Sequence, residues 1–321
     1  MPTRTFSRET TTHELLDGVN LSGRRVLVTG GSAGLGAETV RALAAAGAHV
    51  IATVRDLAKG ERVAEAARAG AAAGGKIELR QLDLESLASV RACADKLLAE
   101  GQPLHVLIAN AGVMACPQGK TKDGFETQFG TNHLGHFVLV NKLVPLLLRG
   151  APARIVSLSS AGHRFSDVDL DDPNFTRTPY DPWFAYGRAK TANVLFAVAL
   201  DRRLAARGVR ACAVHPGGIR TELGRHLNEE TMKQLLGRMS RQGPPQFKTV
   251  EQGAATQVWA GFIADAAEIG GKYCEDCHVA ELTHDSEVSG GVRAYALDPA
   301  RAEALWARSE ELVRERFPLT A

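Results

Sequence analysis

The strongest constraint on the fold is a glycine-rich turn set between two unlike segments. Thr29-Gly30-Gly31-Ser32-Ala33-Gly34-Leu35-Gly36 closes the apolar run Arg25–Thr29 and opens the alanine-rich stretch Leu35–Ala46. A strand that feeds a helix through so tight a turn is the first half of a βαβ unit. The alternation continues along the chain. Strands are predicted at His49–Thr53, Lys76–Gln81, Val106–Asn110, Arg154–Ser159 and Val209–His215, and helices at Leu57–Ala69, Glu85–Ala99, Asp123–Leu148 and Trp183–Ala206. Most of these strands are apolar on both faces, as in a parallel sheet covered by helices on both sides. The class expected is therefore α/β, with one doubly wound parallel sheet.

At 321 residues and 45% apolar content the chain can hold one large core with insertions. Residues 1–21 read as a polar leader lying over the surface, and 22–321 as a single domain. Two long loops, at about 162–182 and 222–248, interrupt the rhythm, and Gly243-Pro244-Pro245 limits helix in the second. Long loops at the C-terminal edge of a parallel sheet usually shape a pocket. The net charge of +2 is spread along the chain, so no nucleic-acid footprint is expected. No apolar run is long enough to suggest a membrane span, and Met1–Asn20 lacks the apolar segment of a secretory signal. Five cysteines, an odd and low count, suggest reduced thiols in a cytoplasmic protein.

Gly30, Gly34 and Gly36 sit where a Rossmann-type sheet brings backbone N–H groups against a pyrophosphate, at the favourable end of a helix dipole. Their spacing is Gly-x-x-x-Gly-x-Gly rather than Gly-x-Gly-x-x-Gly, and a plain strand–helix turn is the alternative. Farther on, Tyr186 and Lys190 are four residues apart, on one face of a predicted helix. An ammonium beside a phenol favours the phenolate, which predicts a lowered tyrosine pKa and a proton carrier usable near neutral pH. Without further motifs, an amphipathic face with a core tyrosine is the better explanation of the pair.

Further motifs exist. Asn110-Ala111-Gly112 ends the fourth strand, Asn132 lies in Thr131-Asn132-His133-Leu134-Gly135-His136-Phe137, Ser159-Ser160 ends the fifth strand, and Pro216-Gly217 follows the sixth. In this order they resemble the short-chain dehydrogenase/reductase family, of its classical type, over about residues 22 to 280. The Thr131–Phe137 segment, the long loop before Tyr186 and Gly271-Lys272-Tyr273-Cys274-Glu275-Asp276-Cys277 are similar to its retinol-dehydrogenase-like and WW-domain-oxidoreductase-like branch.

The resemblance implies an NAD(P)(H)-dependent oxidoreductase that interconverts a carbonyl and an alcohol by hydride transfer. Tyr186 would be the general acid/base, and Lys190 would bond the nicotinamide ribose. Ser160, second of its pair, would bond the substrate oxygen, with Ser159 as competitor. Asn132 would hold a relay water, or else be a helix-interior amide bonding backbone. Cofactor contacts are implied for Gly30, Ser32, Gly34, Leu35, Gly36, Asp83, Leu84, Asn110, Gly112, Gly217, Ile219 and Thr221, besides Tyr186 and Lys190.

At the tip of the second strand the family aligns Val54 with the carboxylate of NAD-specific relatives. Arg55 and Lys59 follow, two cations suited to a 2′-phosphate, so NADP(H) is favoured over NAD(H). Asp56 could instead turn to the ribose, and Arg55 and Lys59 could be a solvated helix face. Asp83 has a second reading as a helix cap.

Substrate contacts are expected from Met114, Ser160, His163 and Trp183, with Phe165 and Tyr180 nearby. These side chains suggest a bulky apolar alcohol or ketone such as a steroid, retinoid, polyketide or aromatic compound. The other classes to weigh are a regulator that binds NADP without turnover and an epimerase of the extended branch. A single Cys274-x-x-Cys277 pair with His278 and His284 falls short of a zinc site, so no metal is expected. Family members often associate through their fifth and sixth helices, which leaves a homo-oligomer open.

Overall fold

Seven strands run parallel in one sheet: β1 (Arg25–Thr29), β2 (His49–Val54), β3 (Lys76–Gln81), β4 (Val106–Ala109), β5 (Ala153–Leu158), β6 (Val209–His215) and β7 (Tyr273–Glu275). A short β8 (His278–Val279) pairs antiparallel with β7 at the edge, and the spatial order is β3-β2-β1-β4-β5-β6-β7-β8. The order reverses between β1 and β4, and a doubly wound sheet opens its ligand crevice at such a point. The computed structural model describes residues 5–72, 74–239, 246–284 and 290–319. Gly243-Pro244-Pro245 and residues 1–4 of the leader lie outside the described residues.

The central strands β1, β2, β4, β5 and β6 are largely buried on both faces, and successive side chains serve opposite cores. Leu27, Ile51, Leu107 and Ile155 face a core built with helices Leu87–Glu100, Gly135–Arg149 and Pro182–Leu204. Val26, Val28, Val50 and Ile108 face a second core against helices Gly34–Ala45 and Val250–Val258. The Pro182–Leu204 helix starts cleanly: Asp181 accepts from the N–H groups of Trp183 and Phe184, and Pro182 occupies the first turn. Ala185, Ala189 and Ala192 let it lie deep enough to bury Tyr186 and Lys190.

The expected Asp123–Leu148 helix is divided. A short helical turn Thr127–Phe129 leads into a π-helical segment Gly130–Leu134 before Gly135–Arg149 begins. Earlier in the chain, Ser86 caps helix Leu87–Glu100, which starts at Leu87 rather than at the expected Glu85. The polar leader does not simply cover the surface. It contains a helix, Thr12–Leu16, with a capping box between Thr11 and Glu14, and Leu15 and Leu16 are buried in the second core. The C-terminal helix Pro299–Val313 inserts Trp306 into the first core beside Phe137 and Phe196.

Candidate active site

The glycine turn at the end of β1 is too tight for side chains. A Cβ on Gly36 would stand 2.1 Å from the Gly30 carbonyl oxygen and 2.6 Å from Asn110 Nδ2. Asn110 holds the turn from β4, donating to the Thr29 carbonyl at 2.8 Å. Helix Gly34–Ala45 begins after Ala33, which offers no side-chain cap, so its first-turn N–H groups face a cradle that an anionic oxygen fits. Ser32 lies half-buried in the same turn. Across the cradle, the place a Cβ on Gly34 would take is 3.3 Å from Thr221. Leu35 and Ile219 meet over Gly253, where no methyl would fit. The predicted pyrophosphate residues are thus gathered in one groove. Gly217 completes its far wall, lying against the Lys248 stem, whose ammonium pairs with Asp276. Nothing in the sequence pattern singled out Lys248 as a neighbour of Gly217.

At the tip of β2, where the adenosine is expected, Val54 is buried and supplies no carboxylate. Asp56 is used as a cap, accepting from the Lys59 N–H at 3.1 Å, so it is not turned to a ribose. Arg55 is 70% exposed, with its guanidinium 3.7 Å from Glu85, and the Lys59 ammonium pairs with Glu222 at 2.6 Å. Asp83 accepts from the Glu85 N–H and pairs with Lys122 at 2.8 Å. It is not a helix cap, because Ser86 has that task. Leu84 is buried beside it, over Gly135.

The residues predicted to handle the proton converge at the ends of β4 and β5. Tyr186 and Lys190 are each about 4% exposed, and the Lys190 ammonium stands 5.6 Å from the centre of the tyrosine ring. Lys190 Nζ donates to the Leu158 carbonyl at 3.0 Å. Ser160 Oγ accepts from the Gly162 N–H at 3.0 Å and lies on the same side of Gly162 as the Tyr186 ring, near enough to favour the phenolate. Ser159 is occupied elsewhere, donating to the Lys190 carbonyl at 2.7 Å. Only the second serine faces the phenol.

Gly112 lies under Asn132 and Lys190; a Cβ there would be 2.9 Å from Asn132 Oδ1 and 3.7 Å from Lys190 Nζ. The Asn132 side chain bonds the backbone of Val113 on both of its atoms, at 2.8 Å and 2.9 Å. That is the backbone-bonding alternative of the sequence reading. The Asn132 carbonyl accepts from His136 Nδ1 at 2.9 Å, and His136 Nε2 accepts from Thr29 Oγ1 at 2.9 Å. The tautomer follows from the partners, since a carbonyl can only accept. This chain of bonds ties the π-helical segment to the glycine turn.

Burial sets the electrostatics. It pushes the Tyr186 phenol up to about 12, the Ser160 hydroxyl opposing, and pulls the Lys190 ammonium down to about 8. This corrects the expectation of a lowered phenol pKa: in the chain by itself burial outweighs the neighbouring ammonium. Helical spacing shows which residues are neighbours but not how deep they lie, and desolvation dominates here.

On the substrate side, Trp183, Tyr186 and Ala115 form a small apolar cluster with Met114, Phe165, Leu227 and Leu235. Leu227 and Leu235 belong to a cover that includes helix Glu229–Met239. Trp183 Nε1 donates to the Thr231 carbonyl at 3.0 Å, and Arg238 pairs with Asp181 at 2.8 Å, its guanidinium 4.5 Å from the centre of the Phe184 ring. His163 is not part of this surface. Its ring is buried, with Nδ1 donating to the Ser160 carbonyl at 2.7 Å and Nε2 accepting from the Arg293 N–H at 3.2 Å. It therefore braces the serine turn from behind, a correction to its expected substrate contact. Tyr180 is likewise engaged, donating to the Cys116 carbonyl at 2.9 Å. Cys274 and Cys277 are buried free thiols, whereas His278 and His284 are exposed. Among the described residues no three His, Cys, Asp or Glu side chains converge as a metal site would require.

The sequence matches the short chain dehydrogenase family over residues 24–232. The chain belongs to the short chain dehydrogenases. It is 48% identical to a probable oxidoreductase of Streptomyces lividans over 295 residues, 90% of this chain and 97% of that one. It is 41% identical to retinol dehydrogenase 12 of Mus musculus over 295 residues, 92% of this chain and 88% of that one, which places this dehydrogenase in the retinol-dehydrogenase-like branch. A solved short chain dehydrogenase from Burkholderia cenocepacia J2315, in complex with NADP, superposes with a TM-score of 0.62 at 26% identity, covering 80% of this chain and 97% of that one. This dehydrogenase is thus an oxidoreductase acting on CH–OH donors, on a Rossmann-type sheet. Among its described residues no helix is long and apolar enough to cross a membrane.

Proposed function

We propose that this short chain dehydrogenase interconverts a bulky apolar ketone or aldehyde and its alcohol with NADP(H), using Tyr186 as the proton carrier. The observation that carries the proposal is the convergence of Ser160, Tyr186 and Lys190 beside a glycine cradle, with Ser159 turned away. A nicotinamide cofactor supplies or accepts the hydride. The chain binds, orients and handles the proton.

In reduction, negative charge develops on the substrate oxygen. Tyr186 Oη gives its proton there, and the Ser160 hydroxyl donates a hydrogen bond to the same oxygen. A phenol held at about 12 is protonated at neutral pH, so the resting chain is set for this direction. In oxidation the phenolate takes the proton from the alcohol. Reaching the phenolate near pH 7 from about 12 requires roughly 7 kcal/mol of preferential stabilisation, at about 1.4 kcal/mol per unit. Lys190, desolvated and charged below about 8, is placed to contribute part of it and to bond a ribose hydroxyl. Asn132, Gly112 and the His136–Thr29 chain fix the floor beneath the ammonium.

Arg55 and Lys59, with no carboxylate free at the β2 tip, support the 2′-phosphate cofactor, as does the NADP complex of the Burkholderia relative. Met114, Trp183, Phe165, Leu227 and Leu235 support an apolar substrate. Trp306 and Phe317 share a core with Phe137, which supports reading 22–321 as one domain. Five buried free cysteines support a reducing, cytoplasmic setting.

The test is a panel of apolar ketones, aldehydes and secondary alcohols, followed at the nicotinamide absorbance with NADPH and NADH. Turnover with NADPH on apolar carbonyls is expected. Turnover confined to small polar substrates, or faster with NADH, would overturn the finer assignments.

A further inference from the structure

Each cation expected to meet a 2′-phosphate already faces a carboxylate, and the two are not equivalent. Arg55 lies 3.7 Å from Glu85 and keeps most of its planar fork of donors free. Lys59 is a point charge, and Glu222 holds it at 2.6 Å. Glu222 belongs to a different part of the fold. The chain leaves β6 at His215, crosses the glycine turn with Thr221 against Gly34, and reaches Lys59 through Glu222. It continues as a 3-10 helix, Glu222–His226, and Leu227 then joins the cluster around Trp183 and Tyr186. One ion pair therefore closes the cofactor groove from above and fixes the start of the substrate cover.

Resting on the NADP(H) reading, we infer that Glu222 is a cofactor-discriminating residue that competes with the 2′-phosphate for Lys59. A bound phosphate and the Glu222 carboxylate are like charges that need the same ammonium. Binding NADP(H) must release Glu222 from Lys59, whereas a 2′-hydroxyl leaves the pair intact. The carboxylate thus lowers affinity for the phosphorylated cofactor selectively and couples cofactor identity to the attachment of the cover.

The experiment is equilibrium binding of NADPH and NADH to the full chain, read by protein fluorescence, in wild type, Glu222→Gln, Lys59→Met and the double variant. Both side chains are well exposed, so the variants leave the core untouched. Glu222→Gln is expected to tighten NADPH about three- to tenfold, the scale of releasing one exposed ion pair and removing one like charge, and to change NADH less than twofold. In the Lys59→Met background the same substitution should lose at least half of its effect on NADPH, as expected of coupled residues. Equal tightening of both cofactors, a change in NADPH under twofold, or an undiminished effect without Lys59 would each overturn the inference. Tighter wild-type binding of NADH than of NADPH would instead contradict the NADP(H) reading, and comparing the wild type with the three variants keeps the two failures apart.

Discussion

Gly162 lies flat against the ring of Tyr186: a Cβ at that position would stand 2.7 Å from the ring's Cε1 and 2.8 Å from Cδ1. The same residue donates its N–H to Ser160 Oγ at 3.0 Å. One glycine therefore sets the spacing between the serine and the phenol. Gly162→Ala must push the ring or the serine turn aside. It is expected to lower kcat about 10- to 100-fold, as a roughly 1 Å misplacement of a reacting group does, and to cost about 1–3 kcal/mol of stability through overpacking. Steady-state kinetics and urea unfolding check both, with cofactor affinity within about threefold of wild type. Wild-type kcat in this variant would mean that placement of the phenol does not limit the reaction.

The two serines give a contrast within one dipeptide. Ser160→Ala removes a hydrogen bond to the substrate oxygen and is expected to lower kcat about 10²- to 10³-fold. Ser159→Ala removes the bond to the Lys190 carbonyl, for about 1 kcal/mol of stability and a change in kcat of only a few-fold. Parallel kinetics and melts of the two variants decide it. The reverse pattern would move the role to Ser159.

Lys190 predicts the alkaline limb of the pH profile. Its folded pKa of about 8 lies below the ordinary 10.5, so the unfolded chain binds the extra proton between these values. The cost of burying the charged form therefore stands in full below about 8 and fades as pH rises to about 10.5, by up to roughly 3 kcal/mol. Function moves the other way. log(kcat/KM) for reduction should fall above about 8 as the ammonium loses its charge. Lys190→Arg, which stays charged, should carry whatever activity it retains without that limb up to about pH 10. A limb unchanged by the substitution would assign it to another group.

The sequence made the scaffold legible because its pattern is local. A β-branched run, a glycine turn and an alanine-rich helix predict β1 and its groove, and the order of Asn110, Ser160, Tyr186 and Lys190 predicts which strand ends meet. What escaped depends on distant partners. His163 reads as a lone loop histidine because Arg293, which saturates its ring, is far along the chain. Leu227 and Leu235 reach the cluster around Tyr186 only because their segment folds back onto Trp183. The three-residue β7 is too short for a periodicity signal. The π-helical turn at Asn132 coincides with side-chain bonds to Val113, which helical spacing alone does not reveal. The expected lowering of the Tyr186 pKa failed for a physical reason, since adjacency to Lys190 was visible and depth was not.

The central claim is that the Tyr186 hydroxyl carries the proton, and Tyr186→Phe removes that atom while keeping the ring that packs on Gly162 and Trp183. The measurement is kcat for NADPH-dependent carbonyl reduction together with the NADPH Kd. A fall in kcat of about 10²- to 10⁴-fold, the scale of lost general acid catalysis, with Kd within twofold of wild type, is predicted. Turnover within about fivefold of wild type at unchanged Kd would contradict it.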